Sequence, residues 1–414
     1  MENKTTLNPV LGDNRIVILD VLRGIALLGI LMVNMPVFNT PFVLVIGEGR
    51  LWTDPLNKTA FWVMDFLFHG KFYVLFSFLF GMGFYFFLRK VDEAGKTVIT
   101  HFRRRLFILL VIGILHVALL WYGDILVVYA LFGFVLTWFR NKSDRTVFVW
   151  AIVFFLIPVV FTILMVSMVN LAMSNPDAAS QVEQTFSGQQ AHFDQLTERA
   201  MVVYSTGSFG EIMSMRLTEY SYIWGGIFSF FPFVLAMFLT GMLFGRRGYL
   251  ADIKAHEGFF RKLLWISLPL ALIFNYLLAT NAAVAQHAFP STELILMIIG
   301  FAIGGPSMMF VYLSLVVFCL NRGHFRWLSS RLATTGRMAL TNYLAQSIIC
   351  TTIYYGYGLG LYGKVSVFNG MLLTLAIFVI QVIWSQYWLK YFRFGPFEWA
   401  WRSLTYLRMQ PFKR

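Results

Sequence analysis

The stretch 147–171, VFVWAIVFFLIPVVFTILMVSMVNL, runs from Val147 to Leu171 without a single charged side chain. In lipid a helix satisfies all of its own backbone hydrogen-bonding groups, and roughly 20 apolar residues suffice to cross a hydrocarbon core of about 30 Å. The stretch therefore reads as a transmembrane helix. Outward from it in both directions, comparable runs lie between polar or Gly/Pro-rich borders at 16–38, 61–88, 105–122, 124–139, 222–245, 262–281, 293–320, 336–356 and 368–391. The expected fold is all-α: a polytopic membrane protein with about ten transmembrane helices. Trp121-Tyr122-Gly123-Asp124 leaves almost no loop between the third and fourth runs, so a tight hairpin is expected there.

The composition agrees. With 58% hydrophobic and only 13% charged residues over 414 positions, the chain has too little polar surface to cover a water-soluble globule. The net charge of +13 does not call for nucleic acid, because its distribution sets orientation instead. Basic residues concentrate in alternate segments, at 89–105, 140–145, 246–262, 322–337 and 390–414. With Lys4 and Arg15 of the leader counted on the same side, the outer segments hold only Arg50, Lys58, Arg199, Arg216 and Lys364. Positive charge stays inside, so both the N-terminus and the C-terminus are expected to be cytoplasmic. Met1–Asn14 leads into the first apolar run without a small-residue cleavage site, so no cleaved signal peptide is expected. Cys319 and Cys350 lie inside apolar runs, which disfavours a disulfide framework or a thiolate metal site.

Three units are expected: a core of four helices over 1–145, a fifth helix with a long extracytoplasmic segment over 146–221, and five helices over 222–414. The segment 172–221 carries Asp177, Glu183, Asp194, Glu198, Glu211 and Glu219 and has helix-compatible stretches such as Ala191–Tyr204. It reads as a lid over an outer cavity or as a spacer. No internal repeat stands out, so an inverted-repeat transporter is not favoured.

Ionisable groups inside a bilayer are costly, so each is a functional candidate. Asp20 and Arg23 are three apart on one helix face near the cytoplasmic end. They form either an anchoring ion pair or, with Arg103, Arg104 and Arg105, a site for an anionic cofactor, since planar guanidinium groups bind two phosphate oxygens together. Asp65 and His69 are four apart, so the carboxylate can orient the imidazole, either as a general base or as a hydrogen-bonded interfacial histidine. Lys71, His116, Asp124 and Asn34 project toward the same outer half, and Tyr129 follows the hairpin. Asn342 and Gln346 share a helix face and either bond across to another helix or line a cavity. No His-Glu-x-x-His spacing, phosphate-cradling glycine loop or exposed-serine elbow is present, so metal and nucleotide-hydrolysing chemistry fit poorly.

The motifs Leu19-Asp20-Val21-Leu22-Arg23-Gly24, His69-Gly70-Lys71-Phe72, Arg103-Arg104-Arg105-Leu106, Gly113-Ile114-Leu115-His116 and Gly123-Asp124-Ile125-Leu126 resemble those of YeiB-like bacterial membrane proteins. Gly336-Arg337-Met338-Ala339-Leu340-Thr341-Asn342-Tyr343 and Phe394-Gly395-Pro396-Phe397-Glu398-Trp399-Ala400-Trp401-Arg402 resemble that family's second domain. The first half is also similar to heparan-alpha-glucosaminide N-acetyltransferase-like membrane acyltransferases.

That resemblance implies a multi-pass protein of the bacterial cytoplasmic (inner) membrane. It would transfer an acyl group from a cytoplasmic acyl-CoA, acetyl-CoA in the simplest case, to an extracytoplasmic sugar, glycan or lipid-linked acceptor. In those relatives the working histidine follows the first span, whereas the first histidine here is His69. On this basis His69 or His116 is the expected base, oriented by Asp65 or Asp124. Arg23 and Arg103 to Arg105 would hold the donor, and Asp20, Asn34, Lys71, Tyr129, Asn342 and Gln346 would face the substrate. A homodimer is open as an assembly state. The competing expectations are a transporter or a lipid- or quinone-binding protein, and a non-catalytic scaffold.

Overall fold

The computed structural model describes residues 16–42, 44, 51–92, 98–225, 227–285 and 291–414; the polar leader 1–14 and Arg50 lie outside them. Helices α1 (Val17–Asn39), α2 (Pro55–Leu67), α3 (Phe72–Asp92), α4 (Val98–Leu119) and α5 (Leu126–Leu136) come first. Then follow α6 (Asp144–Met173), α7 (Pro176–Thr206), α8 (Phe209–Gly225), α9 (Ile227–Arg246) and α10 (Glu257–Ala285). The chain closes with α11 (Thr292–Asn321), α12 (Arg326–Arg337), α13 (Ala339–Tyr354), α14 (Val367–Tyr391) and α15 (Pro396–Tyr406). The only β-type pairing among the described residues is an isolated Phe392–Lys413 bridge. The chain is all-α.

Among the described residues, six stretches are long and apolar enough to cross a membrane: Val17–Asn39, Pro55–Arg89, Asp144–Met173, Glu257–Ala282, Thr292–Asn321 and Val367–Tyr391. They make this a multi-pass membrane protein. The other expected spans fall on shorter apolar pieces for identifiable reasons. In α4 the run Arg103–Arg105 uses up a turn before the apolar part begins at Leu106. The run 336–356 is cut at Met338, which leaves the helical region and separates α12 from α13. The run 61–88 lies within the Pro55–Arg89 span, which breaks between α2 and α3 at Gly70, whose φ of 83° is left-handed and favours glycine.

Large apolar side chains are exposed as well as buried. On α6, Phe148, Trp150, Leu156, Phe161, Leu164 and Leu171 are exposed, and α10 and α14 likewise expose Trp265, Ile273, Val379 and Ile380. These faces offer large apolar side chains to surrounding lipid. Polar residues such as Asp20, His116, Ser314, Asn342 and Ser385 lie inside. With no hydrophobic drive between helices in lipid, close packing holds them, and glycine permits it. A Cβ on Gly81 of α3 would stand 1.9 Å from the Phe238 carbonyl oxygen of α9, and one on Gly241 of α9 would stand 1.9 Å from the Phe78 carbonyl oxygen. The expected lid segment is helical throughout, as α7 and α8.

Candidate active site

Three polar centres emerge. The first joins α4, the hairpin after it and α13. His116 sits in the last turn of α4, and its Nε2 lies 2.8 Å from Ser347 Oγ on α13. Its Nδ1 lies 3.0 Å from Asp124 Oδ1, and both side chains are fully buried. That approach is not aligned as a good hydrogen bond, yet neither atom has another partner among the described residues. Catalytic contacts often tighten only once substrate is bound. Asp124 is fixed by its other oxygen, which accepts the Val127 backbone N–H at 2.7 Å and so caps α5. A proton on Nδ1 would face Asp124 and leave Nε2 to accept from the Ser347 hydroxyl, the order of groups in a serine–histidine–aspartate triad.

Ser347 is held in place by the elements around α13. Glu398 of α15 caps the start of α13: its Oε1 accepts Leu340 N–H at 2.7 Å and Thr341 N–H at 3.1 Å, and its Oε2 accepts the Thr341 hydroxyl. Burial raises the Glu398 pKa. Asn342 donates to Ser385 Oγ and to the Thr335 carbonyl, and Gln346 donates to Gln381 Oε1 at 2.9 Å. Gln381 in turn donates to the Asn342 carbonyl at 2.8 Å. Asn342 and Gln346 thus tie α13 to α14, as interhelical hydrogen bonds do in membranes. Tyr343, one turn before Ser347, places its ring 5.3 Å from that of His116.

The second centre lies at the α2–α3 break. His69 Nδ1 is 3.0 Å from Asp65 Oδ1, with the imidazole partly exposed. Lys71 is fully buried and donates to the Asp65 carbonyl. The third centre lies at the opposite end of α4 from His116. Asp20 pairs with Arg23 at 2.8 Å. Arg105 is within electrostatic reach of both Arg23 and Arg402, and its guanidinium stacks 3.8 Å over Trp401. Trp401 donates to the Arg105 carbonyl, and Arg104 donates to the Thr405 carbonyl. Amphipathic α15 therefore brings Arg402 to the cations read from the sequence, while Arg103 is exposed.

His116 and Asp124 thus come together, as do His69, Asp65 and Lys71, and as do Asp20, Arg23 and Arg105. Tyr129 is buried beside them, with its hydroxyl donating to the Tyr73 carbonyl and 2.9 Å from Ser77 Oγ. Asn34 is half-buried, and no hydrogen bond ties it to these centres among the described residues. Ser347 and Arg402 escaped sequence reasoning. Ser347 follows Gln346 in a polar patch but carries no elbow signature, and Arg402 lies beyond the last expected span. No group of three or more His, Cys, Asp or Glu residues able to hold a metal occurs among the described residues.

Fold and site together define a multi-pass all-α membrane protein with a buried serine–histidine–aspartate chain between its helices. The chain belongs to a YeiB-like family of unknown function. Residues 244–408 match the family model described as "Protein of unknown function (DUF418)". The chain is 34% identical to "Uncharacterized protein YxaH" of Bacillus subtilis (strain 168) over 424 residues, covering 98% of each. It is 27% identical to "Uncharacterized protein YeiB" of Escherichia coli (strain K12), covering 94% of this chain and 96% of that one. No solved structure matches it.

Proposed function

We propose that this protein is an integral-membrane acyltransferase. Its acyl-CoA donor, acetyl-CoA in the simplest case, is held at the end of the bundle that carries Arg23, Arg105 and Arg402. Its acceptor is a sugar, glycan or lipid-linked molecule on the other side. The observation that carries the proposal is the Ser347–His116–Asp124 chain. Spacing supports it: eleven residues separate Arg105 from His116 on α4, about 16 Å of helix, a span that the pantetheine arm of a coenzyme A thioester can bridge. In the orientation set by the basic segments, both chain ends are cytoplasmic, the arginines face the coenzyme side and His116 lies toward the outside, in a bacterial cytoplasmic membrane.

Asp124 holds Nδ1 of His116 protonated, so Nε2 takes the proton from Ser347 as Oγ attacks the thioester carbonyl. The C–S bond breaks, and the thiolate leaves with the proton returned by Nε2. The acceptor's hydroxyl or amine then gives its proton to Nε2 and attacks the acyl-serine, whose oxygen departs and regains a proton. Trp121, its ring 6.5 Å from that of His116, supplies a buried indole N–H with no partner among the described residues, suited to a developing oxyanion. The His69–Asp65 pair, partly exposed, is a second proton acceptor on the acceptor's approach.

Purified protein mixed with radiolabelled acetyl-CoA and quenched should carry acyl label on Ser347. Ser347→Ala and His116→Ala should abolish it, while His69→Ala leaves it. Absence of label, or label insensitive to His116→Ala, would overturn acyl transfer by this chain. A lipid- or quinone-binding role is favoured by one other feature: an apolar groove of about 500 Å³ lined by Trp62, Phe66, Leu272, Ile273, Tyr276 and Leu277, between α2 and α10. Saturable quinone binding there, with no acyl label, would be its outcome.

A further inference from the structure

Arg216 of α8 is completely buried, yet among the described residues only Nη1 has a hydrogen-bond partner, donating to the Ala118 carbonyl at 2.6 Å. Nε and Nη2 have no partner among the described residues. These two nitrogens form the side-on edge of the guanidinium, two parallel N–H groups that match two oxygens of a phosphate or carboxylate. Arginine stays charged when buried, so the free edge cannot be removed by deprotonation.

The surroundings supply more donors than acceptors. The Arg216 guanidinium stands 6.0 Å from the Tyr355 ring, and the rings of Tyr355, Tyr362 and Tyr204 lie 4.7 to 5.8 Å from one another. The hydroxyls of Tyr355 and Tyr362 are buried and have no hydrogen-bond partner among the described residues. The nearby carboxylate, Glu219, is already engaged by both oxygens: Oε2 accepts from Tyr204 at 2.6 Å and Oε1 accepts the Phe42 N–H at 2.7 Å. Glu219 balances the Arg216 charge at a distance, but the unengaged fork and the two hydroxyls beside it match the oxygens of an anion.

We propose that Arg216, Tyr355 and Tyr362 form a binding site for a phosphate-type oxyanion carried by the acceptor. The site lies next to the triad, because Ala118, which anchors Arg216, is two residues past His116 on α4. Its role in orienting an acceptor rests on the acyl-transfer proposal, whereas its existence as an anion site does not. Two sources share this chemistry: a free phosphate and the phosphodiester of a lipid headgroup.

Calorimetric titration of the full-length protein in a nonionic detergent, at fixed ionic strength, separates them. One arm uses inorganic phosphate and the other a short-chain phosphatidylglycerol. Saturable binding of either supports the site and assigns the source. Arg216→Met should weaken that binding at least tenfold. If that variant does not fold, Tyr355→Phe combined with Tyr362→Phe should weaken it several-fold while leaving the cation in place. Ser347→Ala should bind as the wild type does, so failure of the triad chemistry leaves this result untouched. Failure of both probes to bind the wild type, or binding unchanged in the variants, would overturn the proposal.

Discussion

Replacing Asp124 with Asn probes the triad with almost no change in shape. The Asn carbonyl oxygen can still accept the Val127 N–H that Asp124 accepts at 2.7 Å, so the cap on α5 survives and the stability cost stays within about 1 kcal/mol. The position 3.0 Å from His116 Nδ1 becomes an amide NH₂. A donor facing Nδ1 favours the tautomer protonated on Nε2, and Nε2 then cannot take the Ser347 proton across its 2.8 Å contact. Loss of the correct tautomer in such a chain costs about 10⁴-fold, or roughly 5.5 kcal/mol of barrier. A fluorophosphonate reagent reports on this directly, because it reacts with an activated serine oxygen. Wild-type protein in detergent should yield an adduct that mass spectrometry maps to Ser347. Asp124→Asn should label about 10⁴-fold more slowly, and its melting temperature should stay close to that of the wild type. The reasoning is refuted if the wild type takes no label, if the adduct lies elsewhere, or if Asp124→Asn labels within tenfold of the wild-type rate.

Burial raises the Glu219 pKa to about 7 from a usual 4.5, against the pull of its hydrogen bonds to Tyr204 and Phe42. A raised carboxyl favours the folded state fully below pH about 4.5 and loses that contribution as pH climbs through 7, a loss of about 3 kcal/mol. Thermal unfolding in detergent should therefore show stability falling over this window, and Glu219→Gln should flatten the slope. At the α3–α9 crossing, Gly81→Ala would put a methyl 1.9 Å from the Phe238 carbonyl oxygen, where neither backbone can yield. It should cost roughly 3 kcal/mol or more and reduce the yield of folded protein. Gly188→Ala, mid-helix in α7 with nothing within 4 Å, should instead stabilise by about 0.5–1 kcal/mol; equal effects of the two changes would exclude the close crossing. Arg105→Gln, removing a cation beside Arg23 and Arg402, should weaken coenzyme A binding about tenfold at low salt and less at high salt; binding independent of both would remove that end as the donor site.

How much of this was legible in the sequence depends on the separation of the interacting residues. Apolar runs between charged borders marked the helices, since length and polarity are local properties. Asp65–His69 and Asp20–Arg23 were legible because four or three residues on a helix bring side chains together. Six of the expected runs fall on helices long enough to cross among the described residues, and at Met338 a local break, which hydropathy does not report, divides another. Contacts that close the site were hidden, because they depend on which helices pack together. His116 and Ser347 are 231 residues apart, and nothing in either segment names the other. Arg105 and the Trp401 indole are joined only when α15 folds back across α4. The same cause hid Arg216, which reads as one outward basic residue among five until α8 buries it against the Ala118 carbonyl. A charge that merely sets topology should lie near water, whereas Arg216 is wholly buried and, among the described residues, uses one nitrogen of three. That mismatch between a topological role and a desolvated fork makes Arg216 the functional candidate least expected from the sequence.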